Sequence, residues 1–263
     1  VAPSDADVLI VNTCCFIDDS RKESIETILA AAQFKTSGSC KKLIVTGCLA
    51  ERYASEIRTD LVEVDSILGT NQVEEIIRAV DGISVPPPSS YGRNDADFYL
   101  YDHTTPRTLI GPSYTAYMKI AEGCDHTCSF CIIPKIRGPI RSRSIPSLVQ
   151  EAMQLADKGV KEIALVSQDT TSYGLDLGIQ DGLAKLLEAL SKIDGLRWIR
   201  FLYAYPNQIS QRLIDAINSS EKICKYVDMP LQHASESILK SMRRGGNRAS
   251  LATMIERIKK GIP

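Results

Sequence analysis

The stretch Glu122-Gly123-Cys124-Asp125-His126-Thr127-Cys128-Ser129-Phe130-Cys131 sets three thiols at C-x3-C-x2-C spacing within a few residues. A single cysteine is often no more than a small buried apolar side chain. Three so close, interleaved with Asp125, His126, Thr127 and Ser129, do not read as packing; they predict a polar loop whose sulfurs face one point. A structural zinc site closes with four ligands, and its motifs pair two C-x2-C knuckles or two histidines at short spacing. Neither pattern is present here. Iron-sulfur clusters of the 4Fe-4S type that only carry electrons are held by four thiolates, so three thiolates leave one iron open.

Size and charge narrow the setting without choosing a function. A chain of 263 residues can bury roughly 70–75% of its unfolded surface and does not depend on disulfides for a core. Its eight cysteines follow no even framework of spacings, which argues for a reducing compartment with metal-binding thiols, and so for a cytoplasmic protein. The net charge of -1 exerts no whole-protein pull on phosphates. No apolar run approaches the about 20 residues that span a bilayer, so no membrane partner is expected. The start at Val1-Ala2-Pro3 and the end at Gly261-Ile262-Pro263 read as cuts through a longer protein.

In chain order, the apolar, β-branched run Asp7–Thr13 reads as a buried parallel strand, with Cys14 and Cys15 at its end. Ile25, Ile28, Leu29 and Ala32 recur at helical spacing from Asp18 to Phe34, with Asp18 or Ser20 as cap. Lys42–Gly47 is a second strand ending at Cys48, Ser66–Gly69 a third, and Gln72–Val80 a further helix. This alternation predicts an α/β fold, a doubly wound parallel-sheet domain over residues 1–81 whose ligand sites lie off the carboxyl ends of its strands. Cys14 and Cys48 both fall there. Each alone reads as a buried thiol; together, at equivalent strand ends, they suggest a shared metal. Cys40 fits no ligand segment.

Residues 82–113, with Pro86-Pro87-Pro88 and a polar run through Asp97, read as a linker whose tail Phe98–Tyr101 is either a short strand or a segment lying across the second domain. From residue 114 to 263 strands and helices repeat. Strand Thr115–Ala121 delivers the cysteine loop, Glu162–Val166 delivers Ser167-Gln168-Asp169, Trp198–Leu202 delivers Tyr203-Ala204-Tyr205-Pro206, and Tyr226–Met229 delivers Pro230-Leu231-Gln232-His233. Polar clusters at the carboxyl ends of successive strands are where β/α barrels keep their active sites. Taken singly, Gln168 and Asp169 read equally as a loop-ordering pair, and His233 as a hydrogen-bonded structural histidine. Lys135, Arg137, Arg141 and Arg143, like Lys240, Arg243, Arg244 and Arg248, read first as solvated charge; the earlier group also has the chemistry to clamp a carboxylate.

The C-x3-C-x-aromatic-C pattern, with Phe130 as the aromatic, resembles the signature of radical S-adenosylmethionine (SAM) enzymes, in which the open iron binds S-adenosyl-L-methionine. Asn12-Thr13-Cys14 and Thr46-Gly47-Cys48-Leu49-Ala50-Glu51-Arg52 resemble two ligand segments of the methylthiotransferase branch of that family. The resemblance implies a partial TIM-like (β/α) barrel carrying a 4Fe-4S cluster on Cys124, Cys128 and Cys131. It implies a second 4Fe-4S cluster on Cys14 and Cys48, with a third ligand from a strand before Val1. Cys15 stands where the family has a small residue, which leaves open which thiol of the pair ligates. Phe130, Gln168, Asp169, Gln232 and His233 are then cofactor-binding residues. Gln168-Asp169-Thr170-Thr171, Leu202-Tyr203-Ala204-Tyr205-Pro206 and Gln232-His233-Ala234-Ser235 resemble the branch that methylthiolates an aspartate of a small-subunit ribosomal protein more than the branch that modifies transfer-RNA adenosine. The implied partners are that ribosomal protein and a one-electron donor such as flavodoxin or ferredoxin, with nucleic acid engaged only through a carboxyl-terminal domain beyond Pro263. Two readings from other classes stay open on the residues alone: a zinc-stabilised binding module and an iron-sulfur electron carrier.

Overall fold

The computed structural model describes residues 2–86, 88 and 99–262. The chain divides into two compact units, Val1–Tyr99 with Lys135–Arg137, and Leu100–Pro134 with Gly138–Pro263.

In the first unit, strands β1 (Val8–Thr13), β2 (Lys42–Gly47) and β3 (Ser66–Leu68) form a parallel sheet in the order β1-β2-β3. Helix α1 (Asp18–Ser37) joins β1 to β2; α2 (Cys48–Arg52) and α3 (Ala54–Asp60) join β2 to β3, and α4 (Ile76–Val80) comes after β3. The central strand shows why the sheet is parallel and covered: consecutive Leu43, Ile44 and Val45 are all fully buried, so both its faces are sealed. The register pairs Val8 with Lys42 and Thr13 with Gly47, which brings the ends of β1 and β2 level. The cap of α1 is neither expected acid nor serine but Ile17, whose amide donates to Ser20 Oγ at 3.3 Å. The helix expected over 72–80 begins as a 3-10 turn, Val73–Glu75, before α4.

The second unit is built on the parallel sheet of β4 (Thr115–Lys119), β7 (Glu162–Val166) and β8 (Trp198–Phe201), in the order β4-β7-β8. Between β4 and β7 run the strands β5 (Ala121–Glu122) and β6 (Arg141–Ser142), antiparallel to each other, the short helix α5 (Ile133–Arg137), and α6 (Ile145–Asp157). Helix α7 (Gly182–Ser191) leads into β8, and α8 (Gln211–Asn218), α9 (Glu236–Ser241) and α10 (Arg248–Gly261) come after it. Met118, Ile163, Leu165, Ile199 and Phe201 of the sheet pack with Leu148, Leu155, Leu186, Leu190, Ile214 and Ile217 of the helices in one apolar cluster. Serine hydroxyls start α6 and α8: Ser144 accepts from Ser147 N and Ser210 from Leu213 N.

Two expected strands differ from the structure. Residues Tyr226–Met229 do not form the expected strand; among the described residues one isolated parallel bridge, Ile199 with Ile223, stands in its place. The backbone after Ile223 is instead tied to the loop beyond β8, where Asp228 accepts Tyr203 N on its carboxylate at 2.8 Å and Ala204 N on its carbonyl at 2.9 Å. The strand expected to run to Ala121 stops at Lys119, because Ala121 and Glu122 turn away to pair with Ser142 and Arg141. Of the expected linker, Pro87 and residues 89–98 lie outside the described residues; Tyr99–Tyr101 is not a strand, and the Tyr101 ring lies 5.0 Å from Lys119 Nζ.

At β4 the open carbonyls are met by guanidinium groups. Arg107 Nη2 donates to Tyr117 O at 2.6 Å and Arg143 Nη1 to Lys119 O at 2.9 Å. Both cations share Glu151 of α6, at 2.8 Å and 2.5 Å. Arg143 is therefore not solvated charge: its side chain is 2% exposed. Removing the partner of a buried cation costs about 3–5 kcal/mol. Glu151→Gln should lower the free energy of unfolding by about that much, read from the denaturant midpoint, while Arg107→Gln at the more exposed end should cost less.

Candidate metal centre

The cysteine loop leaves β5 through Gly123, whose φ of +86° lies in the left-handed region. An alanine Cβ there would sit 2.0 Å from Pro139 O. The close approach lets Cys124 N donate to Gly138 O at 3.1 Å, and Asp125 Oδ1 accepts Ile140 N at 3.0 Å. The far end is pinned to α9: Ser129 N donates to Met242 O at 3.0 Å and Ser129 Oγ to Ser241 O at 2.9 Å. Cys131 N donates to Cys128 O, closing a tight turn. The loop is thus held at both ends by backbone carbonyls, and none of these bonds uses a sulfur.

All eight cysteines are free thiols; Cys124 is buried, Cys128 and Cys131 half-buried, and Phe130 exposed. Burial pushes the Cys124 thiol up to about 11, with Asp169 and the neighbouring thiols adding to the rise, and burial also raises Cys131. The thiolate is the form that binds a soft metal, so a metal taken up at this loop displaces a proton from each sulfur it binds. Among the described residues no group of three Cys, His, Asp or Glu side chains is arranged to hold a single ion. A cluster is a different ligand problem from a single ion, since each thiolate binds its own iron.

Beside the loop, at the end of β7, stand Gln168 and Asp169. Gln168 Nε2 donates to Glu122 Oε1 at 2.8 Å, and Glu122 Oε2 receives Lys119 Nζ at 2.6 Å. Gln168 Oε1 and Ser167 Oγ are buried and have no hydrogen-bond partner among the described residues. An orphaned buried acceptor is costly and points to an absent donor, and an amino group of a bound cofactor fits that need.

Asp169, 2% exposed, is already satisfied. Its Oδ1 accepts Thr171 N and Oγ1, and its Oδ2 accepts Ser172 Oγ at 2.6 Å and His126 Nε2 at 2.7 Å. Burial, the largest influence, raises its pKa, but the hydrogen bonds from His126, Ser172 and Thr171 outweigh it and hold the carboxyl below its ordinary value. Its contact with the cysteine loop runs through His126, whose ring stacks on Tyr205 with centroids 3.7 Å apart and 12° between planes. Over the Tyr205 ring, 4.4 Å from its centroid, lies Arg244, which also donates from Nη1 to Cys128 Sγ at 3.6 Å and from Nη2 to Pro230 O at 3.0 Å.

Gln232 and His233 are exposed and no hydrogen bond ties them to the thiols. Gln232 holds a strained φ of +69°, and His233 Nδ1 accepts Ser235 N at 2.8 Å, ordering the turn before α9. His126, Tyr205 and Arg244 are what sequence reasoning missed as site residues. His126 lies inside the cysteine motif and Tyr205 in a strand-end cluster, but Arg244, within a basic run, carried no signal that separates it from solvated charge.

In the first unit Cys14 is exposed at the end of β1, its N and O both bonded to Ser24 Oγ at 3.0 Å. Cys48 opens α2 directly after β2. Cys15 is buried and donates its thiol to Cys48 O at 3.2 Å, and burial and the proximity of Cys48 push its pKa up. Of the adjacent pair, Cys14 is the exposed one.

Among the described residues no helix is long and apolar enough to cross a membrane. The family model described as "Radical SAM superfamily" matches residues 118–263, and "Uncharacterized protein family UPF0004" matches residues 1–69. Curated relatives named "Ribosomal protein uS12 methylthiotransferase RimO" include one from Solibacter usitatus, 52% identical over 99% of this chain and 55% of its own length. Another, from Koribacter versatilis, is 46% identical over 98% of this chain and 59% of its own length. The chain thus spans 55–59% of the length of these two relatives. Among solved structures, the radical S-adenosylmethionine methyltransferase TsrM from Kitasatospora setae superposes with a TM-score of 0.66 at 13% identity, over 97% of this chain and 55% of that one. That last likeness is one of fold.

Proposed function

The chain belongs to the Radical SAM superfamily, and from that premise we propose that it is the larger part of a methylthiotransferase acting on an aspartate β-carbon of the small-subunit ribosomal protein uS12. The observation that carries the reading is 46–52% identity along nearly the whole chain to relatives bearing that name. The wording of the strand-end motifs from Gln168 to Gly174 and from Pro230 to Ser235 agrees with it.

On this reading Cys124, Cys128 and Cys131 hold a 4Fe-4S cluster, and S-adenosyl-L-methionine is the cofactor at its open iron. When bound, the cluster supplies one-electron cleavage of that cofactor and hence a radical able to take hydrogen from an unactivated carbon, which no general base can do. The chain's own part is placement. The carbonyls of Gly138, Ser241 and Met242 fix the loop, and Gln168 Oε1 offers its unused acceptor to the cofactor's amino group. Phe130, Gln232 and His233 remain as further cofactor contacts, and Asp169 contributes by holding His126. Cys14 and Cys48 are two of three ligands to a second cluster that carries the sulfur to be transferred. The protein works in the cytoplasm with a one-electron donor of flavodoxin or ferredoxin type.

The test is anaerobic reconstitution followed by electron paramagnetic resonance (EPR) of the reduced protein with and without adenosylmethionine, and then mass analysis of uS12. A signal that shifts with the cofactor and a methylthio adduct on an aspartate are the expected results. A zinc-only protein, or a cluster indifferent to the cofactor, would overturn the radical reading. A cofactor-sensitive cluster with no adduct on uS12 would overturn the substrate alone.

A further inference from the structure

Four side chains form a continuous chain of contacts that ends on the sulfur of Cys128. The buried carboxylate of Asp169 takes His126, the imidazole lies on Tyr205, the phenol ring carries Arg244, and Arg244 donates to Cys128 Sγ. Arg243, in the left-handed region at φ +53°, ends α9 and turns the chain so that Arg244 N returns to Leu239 O at 2.9 Å. Strain at a non-glycine residue costs about 1–3 kcal/mol and persists only where surrounding structure imposes it. Among the described residues no carboxylate pairs with Arg244, so its charge is not neutralised before it reaches the sulfur.

We infer that Arg244 raises the reduction potential of the cluster bound through Cys128, with Tyr205 and His126 positioning the guanidinium. The inference rests on the reading of Cys124, Cys128 and Cys131 as cluster ligands. One-electron reduction by an external donor adds negative charge to the iron and its thiolates, and breaks no bond. A donor N–H and a positive charge at a ligand sulfur stabilise the reduced form more than the oxidised one, and hydrogen bonds to the sulfurs are among the terms that set such potentials. Arg244 acts through Cys128, not on the substrate, and is therefore a positioning residue.

The experiment is a potentiometric titration, monitored by EPR, of anaerobically reconstituted wild type, Arg244→Gln, Arg244→Lys and Tyr205→Leu. Each is normalised to iron and sulfide content and measured first without adenosylmethionine and then with it. Arg244→Gln should lower the reduced-to-oxidised ratio at fixed potential about tenfold, a shift of about 59 mV for one electron. Arg244→Lys, which keeps the charge but loses the planar fork and the stack, should fall between, and Tyr205→Leu should shift the same way by less. If Arg244→Gln does not load a cluster, the Lys and Leu variants carry the comparison. Full loading with an unchanged potential in the variants would overturn the inference while leaving the proposed reaction standing. So would a change seen only once adenosylmethionine is bound, which would make Arg244 a clamp for the cofactor's carboxylate. Wild type without a cluster would overturn both.

Discussion

Replacing Cys124, Cys128 and Cys131 together by alanine should give a folded protein with no iron on this loop and, for the proposed reaction, turnover reduced by on the order of 10⁶-fold or more, since the uncatalysed reaction has no route to the radical. The fold should survive because none of the three belongs to the apolar cluster that holds β4, β7 and β8 to their helices. Cys128 and Cys131 are half-exposed, and the backbone bonds that hold the loop, from Cys124 N to Gly138 O and from Ser129 N to Met242 O, do not use the sulfurs. Circular dichroism should therefore match the wild type while iron, acid-labile sulfide and the cofactor-sensitive EPR signal at this site disappear. A triple variant that kept the cofactor-sensitive signal would move the ligands elsewhere.

Gly123→Ala should damage the same site through the backbone. At φ +86° an alanine carries strain of about 1–3 kcal/mol. Its Cβ would also meet Pro139 O at 2.0 Å and Gly138 O at 2.7 Å, and backbone oxygens cannot swing aside as a side-chain tip can. Relief requires the β5 and β6 strands to part, which breaks the bond from Cys124 N. Overpacking of this kind adds about 1–3 kcal/mol. The sum, about 2–6 kcal/mol, is a large share of the about 5–15 kcal/mol that holds a typical protein folded. The guanidinium midpoint should fall, and reconstituted iron should fall with it. Gly178→Ala is the control: it has a similar φ of +68° but nothing within 4 Å of the added carbon, so it isolates the backbone part of the cost. Equal losses in the two variants would show that the contact with Pro139 contributes nothing.

Much of this arrangement can be read in the residues because it is local. Cysteine spacing within a single loop survives any uncertainty about the rest of the fold. The apolar runs of β2 and β7 identify themselves as buried strands because Leu43, Ile44, Val45, Ile163 and Leu165 leave no polar face to expose. The Tyr226–Met229 segment shows where that reasoning gives out. It has the composition of a strand, yet Asp228 supplies the bonds to Tyr203 and Ala204 that a strand would have made along β8. Arg244 is the other case. Nothing in Lys240–Arg248 marks one cation from the next, and its selection depends on where α9 ends relative to a sulfur 116 residues earlier.

By itself, then, the sequence determined the ligand types, their spacing and the strand-then-loop order that gathers polar residues at carboxyl ends, since each depends on neighbours a few residues apart. Only the tertiary structure decided which polar groups are already satisfied and which are not. Asp169 is filled by four donors, Gln168 Oε1 and Ser167 Oγ have none among the described residues, Arg143 is sealed against Glu151, and Arg244 reaches Cys128. Hydrogen-bond satisfaction and charge pairing are properties of atoms brought within about 3 Å by folding, and side chains of the same type in one polar run become distinct only once the chain has closed around them.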